Sequence, residues 1–286
     1  MKITQELIDK YSAGILNSNT SKTYRLSINK FSQYLQENNI TDLNQENIQT
    51  IIHDYKAYLK QKNYKAATIN QYLIILKSFI NDYTTIQYNK NLKLIKTPKR
   101  TPNYLTREQI KTTLQYTDNK TDELIIKLLS NTGLRINEAL NLTKQQLTKT
   151  DKEENAIITI TGKNNKQRTI VINKTLTKQL KQYSQKNKKY IFESERKPGE
   201  HISIRSIQYR FKKLAQKIDD AENMKIYSEN LKPHNLRHSF AIQALKTNEI
   251  NYVKEFLGHE NISTTQIYTN LKENDVIERF KDINVI

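Results

Sequence analysis

The stretch Leu231–Leu271, LKPHNLRHSFAIQALKTNEINYVKEFLGHENISTTQIYTNL, decides how the rest of the chain is read. The 286-residue sequence has five histidines, and three of them, His234, His238 and His259, fall inside this window together with Arg237 and Tyr268. Pro233 suits the first turn of a helix, where its missing N–H costs nothing, so His234, Arg237 and His238 are expected at a helix N-terminal end. Backbone donors and the helix dipole there favour an anion, and a phosphate is the expected ligand. Asn251–Leu257 is predicted as a short helix with Val253, Phe256 and Leu257 inward and Gly258 as its C-terminal cap. Ser263 and Gln266 make a capping box opening another helix that carries Tyr268. His259 is thereby expected in the turn between two helices.

Histidines four residues apart on a helix also suggest zinc. Here the HExxH glutamate is missing, Arg237 puts a positive charge between His234 and His238, the chain has no cysteine, and no acid occurs from Leu231 to Lys246. His238 reads instead as a packed residue holding the helix.

HNLRH followed by LGHENISTTQIY resembles the C-terminal signature of the tyrosine recombinases, and closely that of the Xer branch. The match combines HxxR, the LGH turn and a tyrosine nine residues beyond the histidine, in the family's order. The resemblance implies a mainly α-helical protein of the tyrosine recombinase fold. It would have an N-terminal helical core-binding (SAM-like) domain and a C-terminal α-helical catalytic domain with a small β-hairpin.

Outside that window, composition bounds the answer. Lys and Arg number 47 against 29 Asp and Glu, a formal charge of +18, and polyanions are the natural partners of such a surface. The absence of cysteine excludes disulfides and thiolate metal sites. No apolar run approaches a membrane span or signal peptide, and a cytoplasmic protein is expected.

The first hundred residues carry helical periodicity with almost no punctuation: Gly14 is the one glycine before Asn103, and the first prolines are Pro98 and Pro102. Amphipathic helices are predicted over Gln5–Leu16, Ser21–Gln36, Gln45–Gln61 and Thr68–Tyr83. Tyrosines in such a bundle are ordinarily core or rim residues rather than base-stacking platforms. SNTSKTYRLSINKFSQYL and ATINQYLIILKSFI resemble the family's core-binding domain, which clamps one face of DNA. Lys90–Arg100 carries five basic residues and no acid, and reads as a linker. The expected organisation is a DNA-clamp domain over 1–89, a basic linker over 90–103 and a catalytic domain over 104–286 with a C-terminal tail helix. Both halves are basic: residues 1–103 hold 15 basic and 7 acidic side chains, leaving 32 and 22 for the rest.

In the second half, Thr106 and Gln109 form a capping box, and Asp122–Ser130 is predicted as a buried helix. In NTGLRINEALNL, Gly133 turns the chain and sets Arg135 at the start of a helix with Glu138 one turn on. Such a pair is ordinarily a surface ion pair worth under about 1 kcal/mol. The resemblance gives it another role, with the arginine gripping the scissile phosphate and the acid orienting it. AIITIT (Ala156–Thr161) and RTIVI (Arg168–Ile172), joined by GKNNKQ, are predicted as the chain's β-hairpin. The resemblance makes the hairpin lysine a general acid; Lys163, directly after Gly162, is preferred over Lys166. Further helices are expected over Leu176–Tyr183 and Ile204–Ile218, the second bearing Arg205, Arg210, Lys212, Lys213 and Lys217. A turn is expected at Lys197-Pro198-Gly199-Glu200, and His53 and His201 read as structural or surface residues.

These residue types assemble a reaction. Attack on a phosphodiester adds charge to the nonbridging oxygens, and Arg135 and Arg237 are donors that do not deprotonate. Free tyrosine has a pKa of about 10, so Tyr268 needs the base or electropositive site that His234 and His259 supply. Lys163 would protonate the leaving 5′ oxygen, and the 3′-phosphotyrosine would be resealed by another strand. No cofactor, metal or nucleotide is called for. Double-stranded DNA carrying a recombination site is the expected partner, with four protomers in a synaptic complex. Resolution of chromosome dimers is the expected task, on the compact length and Xer-like wording, and integration or excision of a mobile element, which uses the same chemistry, is the alternative. A non-catalytic helix-turn-helix reading of Tyr252–Leu271 leaves Arg135 and Lys163 unexplained, and the scattered acids do not suit a metal-dependent nuclease. In the tail, Val276, Ile277, Phe280 and Ile283 make one apolar stripe, expected to dock on a neighbouring protomer.

Overall fold

Thr4 starts the first helix: its hydroxyl accepts the N–H of Leu7 at 3.3 Å, and α1 runs Gln5–Ala13. The computed structural model describes residues 2–15, 18–88, 91–98, 102–162 and 165–258. His259, Tyr268, the whole tail and Lys163 therefore lie outside the described residues. The chain divides into two units, Met1–Lys99 and Arg100–Ile286.

The first unit holds α1, α2 (Ser18–Glu37), α3 (Ile48–Gln61) and α4 (Ala66–Tyr83), the four helices expected. α3 begins three residues later than predicted because Asn44 makes its own turn, its side-chain oxygen accepting the N–H groups of Glu46 and Asn47, both at 3.0 Å. The missing glycines are replaced by asparagine: Asn39 and Asn63, just past α2 and α3, sit at φ 55° and 59°. Ile28, Phe31, Tyr55, Leu59, Leu73 and Phe79 are fully buried between the helices. The aromatic rings interlock, Phe31 meeting Tyr55 edge-on at 5.0 Å and Tyr11 meeting Phe79 at 5.2 Å. Part of the expected linker is docked on this unit. Asn70 of α4 bonds both the N–H and the carbonyl of Ile95, at 2.8 and 2.9 Å, and Leu92 and Ile95 pack on the core.

In the second unit the Thr106–Gln109 capping box forms and opens α5 (Arg107–Gln115). α6 (Lys120–Thr132) buries Leu124, Ile125, Ile126, Leu128 and Leu129 and leaves Lys120 and Asn131 exposed on its outer side. α7 (Ile136–Leu140) follows, then a 3₁₀ turn at Lys144–Leu147 and the antiparallel hairpin β1 (Ala156–Thr161) and β2 (Gln167–Ile172), with Ala156 opposite Ile172. After α8 (Lys174–Tyr183) the expected Lys197-Pro198-Gly199-Glu200 turn proves to be strand. β4 (Lys197–His201) pairs with β3 (Glu193–Ser194), so the hairpin described above is not the chain's one strand pair. Glu193 fixes this second hairpin: its carboxylate accepts the main-chain N–H groups of Lys188 and Lys189 at 3.1 and 2.8 Å, and the Lys189 bond leads in drawing its pKa down to about 2.

α9 (Ile204–Ala221) carries the expected basic residues, but they are not equivalent. Arg205, Lys212, Lys213 and Lys217 are exposed, whereas Arg210 turns inward to the buried Asp122 at 3.0 Å. α10 (Ile226–Asn230), α11 (Pro233–Thr247) and α12 (Ile250–Leu257) complete the described chain. Among the described residues no helix is long and apolar enough to cross a membrane.

Candidate phosphate site

Two chain turns meet where the ends of α6 and α12 pack on α11. α6 and α12 both end on a left-handed glycine, Gly133 at φ 60° and Gly258 at φ 65°. Any side chain at Gly133 would also collide with its neighbours, since a Cβ there would lie 2.5 Å from Phe240 Cδ1 and 2.7 Å from Leu257 Cδ2. The absence of a side chain lets α11 and α12 close onto the α6 turn.

Pro233 occupies the first position of α11, as expected, and the helix then places its functional residues by depth. Arg237, one turn in, is 1% exposed. It donates through one terminal nitrogen to the Gly133 carbonyl and through the other to the Leu257 carbonyl at 2.7 Å. One guanidinium thus answers the C-terminal carbonyls of two helix ends and ties both to α11. His238 is buried, in keeping with a packed residue, and its ring meets that of His234 edge-on at 4.2 Å. His234 keeps an exposed face. Desolvation by the protein on its other sides, then the charges of Arg237 and Arg135, hold its pKa below the usual histidine value. A neutral imidazole beside two guanidiniums is equipped to accept a proton.

Arg135 caps the N-terminus of α7. Glu138 reaches back to it, accepting its main-chain N–H at 2.8 Å and its guanidinium at 3.0 Å, so the arginine is held at its base. Its side chain is 46% exposed, leaving the head open to a ligand, whereas Glu138 is 11% exposed. Burial alone would raise the Glu138 pKa. Hydrogen bonds from Arg168 and from the Arg135 N–H, together with both guanidinium charges, outweigh it and hold the carboxyl below its usual range.

Arg168 is the residue that sequence reasoning missed. It enters from β2 and grips Glu138 with both terminal nitrogens, at 3.1 and 2.7 Å, while its Nε donates to the Phe256 carbonyl at 3.0 Å. A signal for it existed. Arg168 shares strand parity with the buried Ile170 and Ile172, and an arginine on the inward face of a strand requires a buried partner.

Of the expected set, the structure brings Arg135, Glu138, His234, Arg237 and His238 together around the Gly133 and Gly258 turns. Lys163, His259 and Tyr268 fall outside the described residues, and Gly258 immediately precedes His259 in the sequence. The arrangement offers a fixed, open guanidinium, a second buried positive charge and a neutral proton acceptor.

Comparison with known proteins gives matches in both units of the chain. The profile of the Phage integrase family matches residues 103–275, and that of the Phage integrase N-terminal SAM-like domain matches residues 12–84. Tyrosine recombinase XerA of Pyrococcus horikoshii is 32% identical over 240 residues, covering 81% of this chain and 80% of the relative. Among solved structures, the XerH site-specific recombinase bound to palindromic difH in a post-cleavage complex superposes with a TM-score of 0.70 at 24% identity, covering 91% of this chain and 78% of XerH. The Tn1549 transposon integrase bound to transposon right end DNA has a TM-score of 0.70 at 19% identity, with 96% of both chains covered.

Proposed function

Because this chain belongs to the phage integrase family and is a site-specific tyrosine recombinase of Xer type, we propose that it resolves chromosome dimers by cutting and rejoining DNA through Tyr268. The observation that supports the site most directly is that Arg237, one turn from His234 on α11, donates to the carbonyl of Gly133, two residues before Arg135, so that two cations and an imidazole come to one place. In this reading the open head of Arg135 meets a nonbridging oxygen of the scissile phosphate. Arg237, pinned by two carbonyls, sets the floor of the site and adds its positive charge. His234 and His259 assist the Tyr268 hydroxyl in attack, and Lys163 protonates the departing 5′ oxygen. The products of the first step are a 3′-phosphotyrosine and a free 5′ hydroxyl, and attack by a 5′ hydroxyl reverses it on the same or another strand. Residues 1–89 serve as a clamp on the duplex, 90–103 as the basic connection and 104–286 as the catalytic domain. Four protomers pair two duplexes in the cytoplasm, with the apolar tail stripe docking between neighbours.

A second reading, integration or excision of a mobile element by the same chemistry, shares the fold, which matches XerH and the transposon integrase equally with a TM-score of 0.70. Mapping the genomic DNA that the protein protects separates the two: a site near the replication terminus supports resolution, and element ends support integration. The chemistry itself is tested on a nicked duplex of that protected site. Wild-type protein should trap a covalent 3′-DNA adduct in excess chelator, and Tyr268→Phe should bind without forming it. An adduct in the phenylalanine variant would refute the assignment of the nucleophile.

A further inference from the structure

The Glu138 carboxylate creates an electrostatic difficulty for the site. A carboxylate that holds Arg135 in place also cancels its charge, and a neutral pair is a poor stabiliser of an anionic transition state. The structure contains the remedy. Glu138 Oε1 is shared between two guanidiniums, Arg135 at 3.0 Å and Arg168 at 3.1 Å, while Oε2 accepts from Arg168 and from the Arg135 main-chain N–H, so the three side chains carry a net charge of one positive unit. The two arginines differ in accessibility: the Arg168 side chain is 8% exposed and the Arg135 side chain 46%, so the surplus charge faces outward through Arg135.

Resting on the recombinase reading, we infer that Arg168 is a positioning residue that neutralises Glu138, letting the carboxylate orient Arg135 without removing the positive charge that Arg135 presents to the phosphate. Arg168 is itself tightly seated. Its Nε bonds the Phe256 carbonyl at 3.0 Å, and a Cβ on Gly258 would lie 3.0 Å from its Cδ and 3.2 Å from one terminal nitrogen. Glycine at 258 therefore admits the Arg168 side chain against the end of α12. A bidentate fork onto a carboxylate with a third bond from Nε to a main-chain carbonyl fixes the guanidinium plane, which a lysine would not do.

Charge bookkeeping gives a test that a purely structural role would not pass. Single-turnover cleavage is measured on a nicked duplex of the genomic site the protein protects, with half-site binding and thermal unfolding followed in parallel. R168Q leaves the Arg135 and Glu138 pair neutral, and cleavage should fall by about a hundredfold, the scale of losing one transition-state donor. Binding should change far less, being one contact among many. E138Q added to R168Q restores the single positive charge, so the double variant should recover at least ten-fold over R168Q, by the size of the restored electrostatic contribution. A double variant as slow as R168Q, or slower, overturns the inference. R168K keeps the charge and loses the fork, and should remain within about ten-fold of wild type, since the charge still faces the phosphate. If R168Q does not fold, R168K decides: a loss as large as that of Arg135→Ala overturns the inference. Wild-type protein that forms no covalent adduct would instead overturn the recombinase reading itself.

Discussion

Tyr55 and Arg237 are among the largest fully buried side chains of the protein, one in each unit, and their surroundings treat them in opposite ways. Tyr55 packs its ring against Phe31 and Tyr34, and its buried hydroxyl has no hydrogen-bond partner among the described residues. Arg237 is bonded to two main-chain carbonyls from helix ends far apart in the sequence. The first unit uses aromatic bulk to hold helices together and tolerates an orphan hydroxyl. The second buries charge, and the desolvation is offset by bonds to main-chain carbonyls, the fixed cation that the proposed phosphate site calls for. Burial alone therefore does not distinguish core from site; the partners of the buried polar atoms do.

Substitutions can break or sharpen this contrast. The largest effect is expected at Arg237→Ala, which removes the donors from two buried carbonyls. Unfolding of the second unit should lose about 2–5 kcal/mol, read by chemical denaturation, and cleavage should disappear with it. A variant of unchanged stability would mean that the two carbonyl bonds are not structural. Arg135→Ala should separate the two properties. Its exposed head contributes under about 1 kcal/mol to stability, yet cleavage should fall by about two to three orders of magnitude. Equal losses in DNA binding and cleavage would count against it.

Tyr55→Phe tests the other side of the comparison. Deleting a buried hydroxyl that bonds nothing should stabilise the first unit by about 1 kcal/mol, visible as a raised melting temperature, with cleavage unchanged. A destabilised variant would reveal a partner for that oxygen. The smallest effect concerns pH. His234 is held below the ordinary value of about 6.5, so its neutral form persists to lower pH. The base it provides is present above the lowered pKa and lost as pH falls through it. Arg135→Gln removes one of the charges that depress it, and the acid limb of the residual cleavage should then move upward. A limb that stays in place would remove Arg135 from the causes of the shift.

Much of this organisation was legible in the sequence, for reasons that can be named. The helices of the first unit followed from apolar spacing, and the two glycines of the site, Gly133 and Gly258, from the way helical patterns stop at them. HNLRH located a helix start because Pro233 permits one conformation there. Three things were hidden. Asn39 and Asn63 end helices as glycine would, yet asparagine is too common in this chain to announce it. Lys197–His201 looked like a turn because Pro198 and Gly199 suggest one, whereas proline is tolerated in a short edge strand and the Glu193 carboxylate organises the loop leading into the hairpin. Arg168 was obscured because its partners, Glu138 and the Phe256 carbonyl, lie 30 and 88 residues away, and strand parity alone signals that it turns inward.

The bond from Arg237 to the Gly133 carbonyl spans 104 residues, and that from Leu105 to Ser239 spans 134. Contacts of such long range form late, because the intervening loop must be closed before they contribute. During synthesis Arg135, Glu138 and Arg168 leave the ribosome well before Arg237, and they precede any residue that could join the Gly133 turn to α11. A partly made chain thus carries Arg135 and its Glu138–Arg168 support but not the Arg237 that ties the Gly133 turn to α11. Under the proposed reading, competence to cut DNA waits on synthesis through α11 and α12, and a copy that stops before them is left basic enough to touch DNA but without the Arg237 floor.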